Sequence, residues 1–289
     1  LTLRLREFTQ AELQIFFNPE KIDEHPDFAS VKDYPLRTML VEDRESNMLV
    51  ERTPDILIKN GLPKFYVYHL AKIQQFYLEI MKVPKDKFRF YQLNDKEKAF
   101  YNKYHFDIEV DLNDHGFTEM SGLHYRTDHD LKGHEEISKQ KMEVLEESTG
   151  KKFIPHVLEL SFGVDRNTYA LLDLNIDNDK ERGNIVLHLP TKFTPFQCAV
   201  FPLVKNKEEI TRKAHEVYQL LKDFSCFYDE TGSVGKRYAR ADEVGVRYCM
   251  TVDFETLEDG AVTVRDRETT KQDRIKVKDL NEYLLGKLD

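Results

Sequence analysis

The spacing of hydrophobic and polar positions along this chain changes several times, and each change predicts an element. Val157, Leu158, Leu160 and Phe162 form an apolar run broken by Glu159 and Ser161, the pattern of a buried strand. Gly163 frees the backbone to turn, and Arg166 opens a helix carried on by Tyr169, Ala170, Leu171 and Leu172. Upstream, Phe65, His69, Ile73, Phe76 and Ile80 recur at three- or four-residue steps, which predicts a helix over Leu62–Met81 ended by Pro84. Leu1, Leu3 and Leu5 alternate with polar residues up to Phe8, predicting a strand that runs into a short helix around Ala11–Phe17. Residues 36–60 are charged and mixed and predict an excursion or a strand pair. Phe88–Phe90, Asp107–Val110 and Gly116–Gly122 have strand character, and Tyr125–Glu136 is a polar link with helical tendency.

The pattern shifts after Leu172. Asp173–Gly183 is acidic and contains asparagines, which predicts a surface connector. Beyond it come a strand (Cys198–Val204), a helix (Glu208–Phe224), a strand (Cys226–Asp229) and a glycine-containing loop. A helix (Lys236–Val244), two strands (Tyr248–Phe254, Ala261–Arg265) and a terminal helix (Val277–Leu285) follow. That alternation predicts a compact α/β domain. Two domains are therefore expected, 1–183 with an insertion around 30–110, and 184–289.

Composition narrows the class. The 289 residues are 40% hydrophobic and 33% charged, and no apolar run approaches the roughly 18 residues of a membrane span. Cys198, Cys226 and Cys249 form no CxxC pair, which fits a reducing compartment and a cytoplasmic location. The net charge of −9 argues against indiscriminate coating of nucleic acid, though not against a local basic face.

Four clusters carry candidate chemistry. Glu159 and Ser161 suit an amine, and Arg166 at the following turn suits a phosphate; Glu159 and Arg166 pairing with each other is the plain structural alternative. On a strand Arg4, Arg6 and Phe8 would share one face, two guanidiniums beside a ring, which suits a nucleotide or an ordinary exposed edge. Glu119 lies among mostly uncharged residues and needs a partner, either an ammonium substrate or an arginine such as Arg126. In the second domain, the loop Thr231–Gly235 opens a helix bearing Lys236, Arg237, Tyr238 and Arg240. That helix suits RNA phosphates and a stacked base, or is a solvated amphipathic helix.

These runs together resemble the class II aminoacyl-tRNA synthetases, in detail the dimeric glycyl-tRNA synthetase family of archaea, eukaryotes and some bacteria. Glu159-Leu-Ser-Phe-Gly-Val-Asp-Arg166 is similar to motif 3, and Arg4-Leu-Arg-Glu-Phe8 with Thr-Gln-Ala-Glu12 to the closing strand of motif 2. Gly116-Phe-Thr-Glu-Met-Ser-Gly122 fits the family's Gly-x-x-Glu-x-x-Gly, whereas His124-Tyr125 stands where relatives often show Ala-Asp. Lys98-Ala-Phe-Tyr101 stands for the family's Met-Ala-His-Tyr, and Thr231–Gly245, Thr251–Phe254 and Thr263–Glu268 resemble the class IIa anticodon-binding domain.

The resemblance implies an α/β (α+β) fold, a partial antiparallel-sheet catalytic core followed by an anticodon-binding domain. It implies activation of glycine with ATP and transfer to tRNA(Gly). Arg4 and Arg166 would be catalytic, with Arg4, Phe8, Glu119, Arg126 and Arg166 on ATP. Glu12, Glu119, Glu159 and Ser161 would bind glycine, Glu119 or Glu159 would meet Mg2+, and Lys236, Arg237, Tyr238 and Arg240 would contact the anticodon. The resemblance begins inside motif 2, so the expectation is a C-terminal half that needs a separate or omitted N-terminal half. Its homodimer would form through motif 1, and the isolated chain is expected to be feeble. The alternatives are another class IIa synthetase (prolyl, threonyl or histidyl) and a noncatalytic nucleic-acid-binding relative like the mitochondrial DNA polymerase accessory subunit.

Overall fold

The computed structural model describes residue 3 and residues 5–288. It forms two compact units, divided between Leu171 and Leu172. Arg4 lies outside the described residues.

In unit 1 the chain forms β1 (Gln10–Phe17), β2 (Leu36–Met39), β3 (Val50–Arg52), α1 (Pro54–Lys59) and α2 (Lys64–Gln75). After α2 come β4 (Phe88–Gln92), β5 (Tyr104–Leu112), β6 (Gly116–Thr127) and α3 (His129–Ser138). The β7–β8 hairpin (Val144–Glu146, Lys151–Phe153), β9 (His156–Gly163) and α4 (Val164–Asn175) complete the path to the division. Seven strands make one sheet in the order β1-β9-β6-β5-β4-β2-β3, antiparallel except where β2 meets β4.

The sheet has two chemically distinct faces. Alternation puts Phe88, Phe90, Phe106, Ile108 and Leu158 in the core, where α2 covers them. Tyr66 of α2 donates its hydroxyl to the Leu123 carbonyl (2.7 Å), and Tyr77 stacks on Phe162 at 6.0 Å. The other face carries Glu12, Gln14, Glu159, Ser161, His124 and Arg126.

Several expectations need correction here. Ala11–Phe17 is strand, not helix: β1 pairs with β9 over its whole length, Gln10 to Gly163 through Phe17 to His156. Its residues alternate Glu12 and Gln14 against Leu13 and Ile15, a period of two. The segment bearing Phe8, by contrast, is irregular, so the shared strand face expected for Arg6 and Phe8 does not form.

The helix expected over Leu62–Met81 is present as α2 and a π-helical turn at Phe76–Ile80. Its buried stripe is Tyr66, Val67, Leu70, Ile73 and Tyr77, while Phe76 and Ile80 are exposed. Every third or fourth residue was apolar on two adjacent faces, and only contact with the sheet selects one.

Burial also sets the protonation of two histidines. Desolvation holds His69 down at about 4, and burial, then His105 and Arg126, hold His124 at about 3. The unfolded chain protonates both near the usual histidine value, so their contribution to stability is present above about pH 6.5 and is lost as pH falls toward 4 and 3. Each is expected to cost on the order of 1.4 kcal/mol per pH unit within its window. Melting unit 1 between pH 7 and pH 5 tests this: His124→Gln flattens the slope, and an unchanged slope refutes the assignment.

Unit 2 begins within α4 and continues as the hairpin β10 (Ile176–Asp179) and β11 (Asn184–Leu187). Asp173–Gly183 is therefore not a plain connector: Asp173 lies in α4, Asp177 and Asp179 on the largely exposed β10, and Glu181 in the hairpin turn. Then follow β12 (Cys198–Pro202), α5 (Glu208–Leu220), β13 (Cys226–Tyr228), α6 (Val234–Glu243) and β14 (Tyr248–Val252). The unit ends with α7 (Phe254–Asp259), β15 (Ala261–Asp266), β16 (Gln272–Lys276) and α8 (Leu280–Leu285).

The sheet order is β13-β12-β14-β15-β16, with β12 parallel to both β13 and β14. β12 is buried throughout because both faces are covered, which explains its unbroken apolar run. Cys198 and Val200 pack with α5 and α8 residues, and Ala199 and Phe201 with Ala241 of α6. No helix among the described residues is long and apolar enough to cross a membrane.

Candidate active site

Strand register assembles the site. Glu12 lies opposite Ser161 and Gln14 opposite Glu159; Ser161 lies opposite Gly122 and Glu159 opposite His124. Residues directly opposite share a face, so three strands present one row of polar groups. Glu12, Gly122, His124, Glu159 and Ser161 line a cavity of about 320 Å³ together with Phe8, Glu119, Arg126 and Arg166.

Glu159 is its fixed point, 4% exposed. Its Oε2 accepts from Arg126 Nη1 (2.9 Å) and Gln14 Nε2 (3.0 Å), and its Oε1 from Ser161 Oγ (3.1 Å). Arg126 also donates through Nε to Asp130 (2.8 Å) and lies 4.8 Å from the Tyr101 ring centre. Burial opposes its charge, but Asp130 and Glu159 outweigh that and raise its pKa.

Glu119 enters the cavity only because β6 carries a bulge. Glu109 faces Glu119 while Ile108 faces Ser121, so Met120 is the extra residue and the strand's alternation reverses there. Ser121 consequently points into the core, against the Tyr77 hydroxyl at 2.7 Å. Asn167, buried on the first turns of α4, clamps the bulge: its amide donates to the carbonyls of Met120 (3.2 Å) and Gly163 (3.0 Å).

Arg166 reaches over this junction. Its Nη1 donates to the Glu119 carbonyl (2.9 Å) and carboxylate (3.0 Å). A Cβ at Gly163 would come 3.1 Å from the Met120 carbonyl, a tight contact that the bulge would have to yield to by a few tenths of an ångström. Glu159 and Arg166 thus do not pair with each other: each has a different partner, Arg126 and Glu119.

The arrangement presents four carboxylates (Glu12, Glu119, Glu159 and Asp165) and two guanidiniums (Arg126 and Arg166) to one small cavity. Glu119, half exposed, can offer an oxygen to a magnesium ion that arrives with a nucleotide. Glu159 fits that role poorly, because its oxygens already accept from two side-chain amine donors and a hydroxyl. Among the described residues no three His, Cys, Asp or Glu side chains form a ready cation cage.

Unit 2 sorts its four expected contact residues differently. The Ser233 hydroxyl caps α6 at Lys236 N (3.4 Å), and Lys236 is exposed. Arg240 is partly exposed and bound to Asp229 (3.0 Å) and the Thr231 carbonyl (2.7 Å). Arg237 is 1% exposed and spent on the carbonyls of Pro202 and Gly232. The hydroxyls of Tyr238 and Thr251 share a hydrogen bond (2.5 Å) under the Arg265 guanidinium. The expectation that Arg237 and Tyr238 touch RNA does not fit this placement; they brace the loop and the sheet.

Residues 197–287 match the Anticodon binding domain family. The chain is also 34% identical to the glycine–tRNA ligase of Pyrococcus furiosus over 98% of its own length and 64% of that protein. The glycine–tRNA ligase of Pyrococcus horikoshii is 35% identical over 96% and 62%. The chain is thus similar over nearly its whole length to glycine–tRNA ligases. A bacterial member, from Clostridium acetobutylicum, is 43% identical over 71% of the chain and 45% of its own length. The chain spans 62–64% of the length of the archaeal ligases just named.

In this chain Glu12, Glu119, Arg126, Glu159, Ser161 and Arg166 meet in one cavity. Gln14, Asn102 and Asn167, which support them, carried no sequence signal beyond polar residues within apolar patterns.

Proposed function

We propose that this chain supplies the glycine and ATP site of a glycine–tRNA ligase together with its tRNA anticodon-binding domain. The observation that carries the reading is the cavity itself, where buried Glu159, with Ser161 and Glu12, faces Arg166 across the β6 bulge.

The carboxylates hold the ammonium of glycine, and Arg166 neutralises phosphate charge. One oxygen of the glycine carboxylate attacks the α-phosphorus of ATP, and pyrophosphate leaves with the electrons of the broken P–O bond. A ribose hydroxyl at the RNA 3′ end then attacks the carbonyl carbon, and AMP leaves. Positioning and charge neutralisation suffice, and no protein nucleophile takes part. Magnesium, when bound, supplies further phosphate charge neutralisation.

The small cavity suits glycine, which has no smaller competitor to reject. The anticodon partner, tRNA(Gly), would meet unit 2 through Lys236 and Arg240. Arg4 and Phe8 belong to the same proposal as ATP contacts, as do a homodimer and a cytoplasmic location.

ATP–pyrophosphate exchange over a panel of glycine, alanine, proline, threonine and histidine tests the reading, with the full-length polypeptide. Exchange dependent on glycine is the expected result. Dependence on proline, threonine or histidine would move the chain to another class IIa branch. No exchange with any amino acid, alongside retained RNA binding, would make it a binding-only relative.

A further inference from the structure

Phe100 is 87% exposed, more than any other large hydrophobic side chain among the described residues. It sits in a tight turn closed by the bond from Asn102 N to the Ala99 carbonyl (2.9 Å). Its two central rings, Phe100 and Tyr101, stand edge to face with centres 5.3 Å apart. Tyr101 points inward, over Arg126 and into the wall of the cavity. Phe100 points out.

Both rings meet exposed His129: Phe100 edge-on at 5.2 Å, and Tyr101 stacked at 5.7 Å with planes 19° apart. The result is a three-ring ledge continuous with the cavity wall.

The ledge is rigidly underpinned. Asn102 is 4% exposed and bonds His124 Nδ1 at 3.2 Å. Lys103 N donates to the Tyr125 carbonyl (2.8 Å), and Lys98 Nζ to the Lys103 carbonyl (2.9 Å). Beneath them the His105 and His124 rings stand 4.1 Å apart. His124 is therefore a prop for this turn. A well-supported ring left in water does no work for the fold, and its support points to an external partner.

We propose that Phe100 and His129 form the platform on which an unpaired nucleotide at the 3′ end of the RNA acceptor stacks as that end enters the cavity. The inference rests on the proposed aminoacylation reading, in which an RNA ribose must reach the bound adenylate from outside. Two exposed lysines flank the ledge in sequence: Lys103 follows its turn, and Lys132, paired with Asp128 at 2.7 Å, lies one helical turn beyond His129, and these are the cations available to the accompanying phosphates. Aromatic stacking with flanking cations is how proteins hold single-stranded RNA.

The two half-reactions separate the claims. Glycine-dependent exchange needs no RNA, so Phe100→Ala is expected to leave it within about twofold of the unaltered protein. Single-turnover transfer to tRNA, or its apparent affinity, is expected to fall roughly 5- to 150-fold, the worth of one stacked base. Phe100→Trp restores it. Unchanged transfer by Phe100→Ala overturns the platform, as does an equal loss of both half-reactions with a lowered melting temperature. A changed oligomeric state with normal transfer would assign the ring to a protein interface instead. Absence of exchange in the unaltered protein refutes the aminoacylation reading itself, and the platform with it.

Discussion

Glu159→Ala is expected to reduce glycine-dependent ATP–pyrophosphate exchange by about 100-fold or more, the loss appearing chiefly in the KM for glycine. Glu159 is nearly inaccessible and organises three neighbours at 2.9–3.1 Å. Truncating one member of a buried, hydrogen-bonded charge pair costs about 2–5 kcal/mol, much of it from the charge left behind. Here that charge is Arg126, which would turn toward Asp130 or into the cavity. Glu159→Gln keeps the shape and can leave its amide oxygen on Arg126 and Gln14 and its N–H on the Ser161 hydroxyl, but it removes the negative charge that faces Arg126 and an ammonium, so it should recover only part of the loss. A melting curve for unit 1 separates collapse from a local defect. Exchange within a few-fold of normal, with an unchanged KM for glycine, would remove Glu159 from the amine site.

Asp242→Ala is expected to lower the stability of unit 2 by about 3–5 kcal/mol. Asp242 is 1% exposed and receives both arms of Arg265, at 2.8 and 3.0 Å, in a bidentate pair. Arg182 adds a longer contact at 3.5 Å. Removing the carboxylate leaves Arg265 buried without its counter-charge, and Arg265 in turn covers Tyr238 at 5.0 Å. The midpoint of the unit 2 transition should drop by more than roughly 10 °C. Melting of residues around β14 and α6, followed by hydrogen exchange, checks the assignment. Adding Arg265→Leu should recover part of the loss, because an apolar pair in place of a buried ion pair is often neutral. Equal instability in the single and double variants would place the cost elsewhere.

Much of the site was legible in the chain. The β9-to-α4 transition reads directly from Val157–Phe162 and Gly163, and the identities of Glu159, Ser161 and Arg166 carried their chemistry with them. Unit 2 read well because its central strands are apolar on both faces and its helices are separated by glycine and polar loops. The first strand was misread at Ala11–Phe17, where short apolar spacings fit a helix and a strand equally until β9 supplies the hydrogen-bonding partner. Arg237 was misread for a related reason. A basic residue in a helix facing a glycine loop looks solvated, yet carbonyls at Gly232 and Pro202 absorb its donors.

By itself the sequence determined which residue types could meet an amine and a triphosphate, and which segments had to be strands buried on one face or two. Alternation and charge are local properties, and each residue carries its own. Only the tertiary structure decided which groups meet. Ser121 faces Tyr77, and the extra residue at Met120 turns Glu119 toward the cavity instead, whereas strict alternation from Gly122 would have put Glu119 on the core face with Ser121. Pairing Arg126 with Glu159 and Arg166 with Glu119 likewise depends on strand register and on Asn167 clamping the bulge to α4. Those are contacts between segments distant in sequence, set by the packing of the sheet, and no local pattern encodes them.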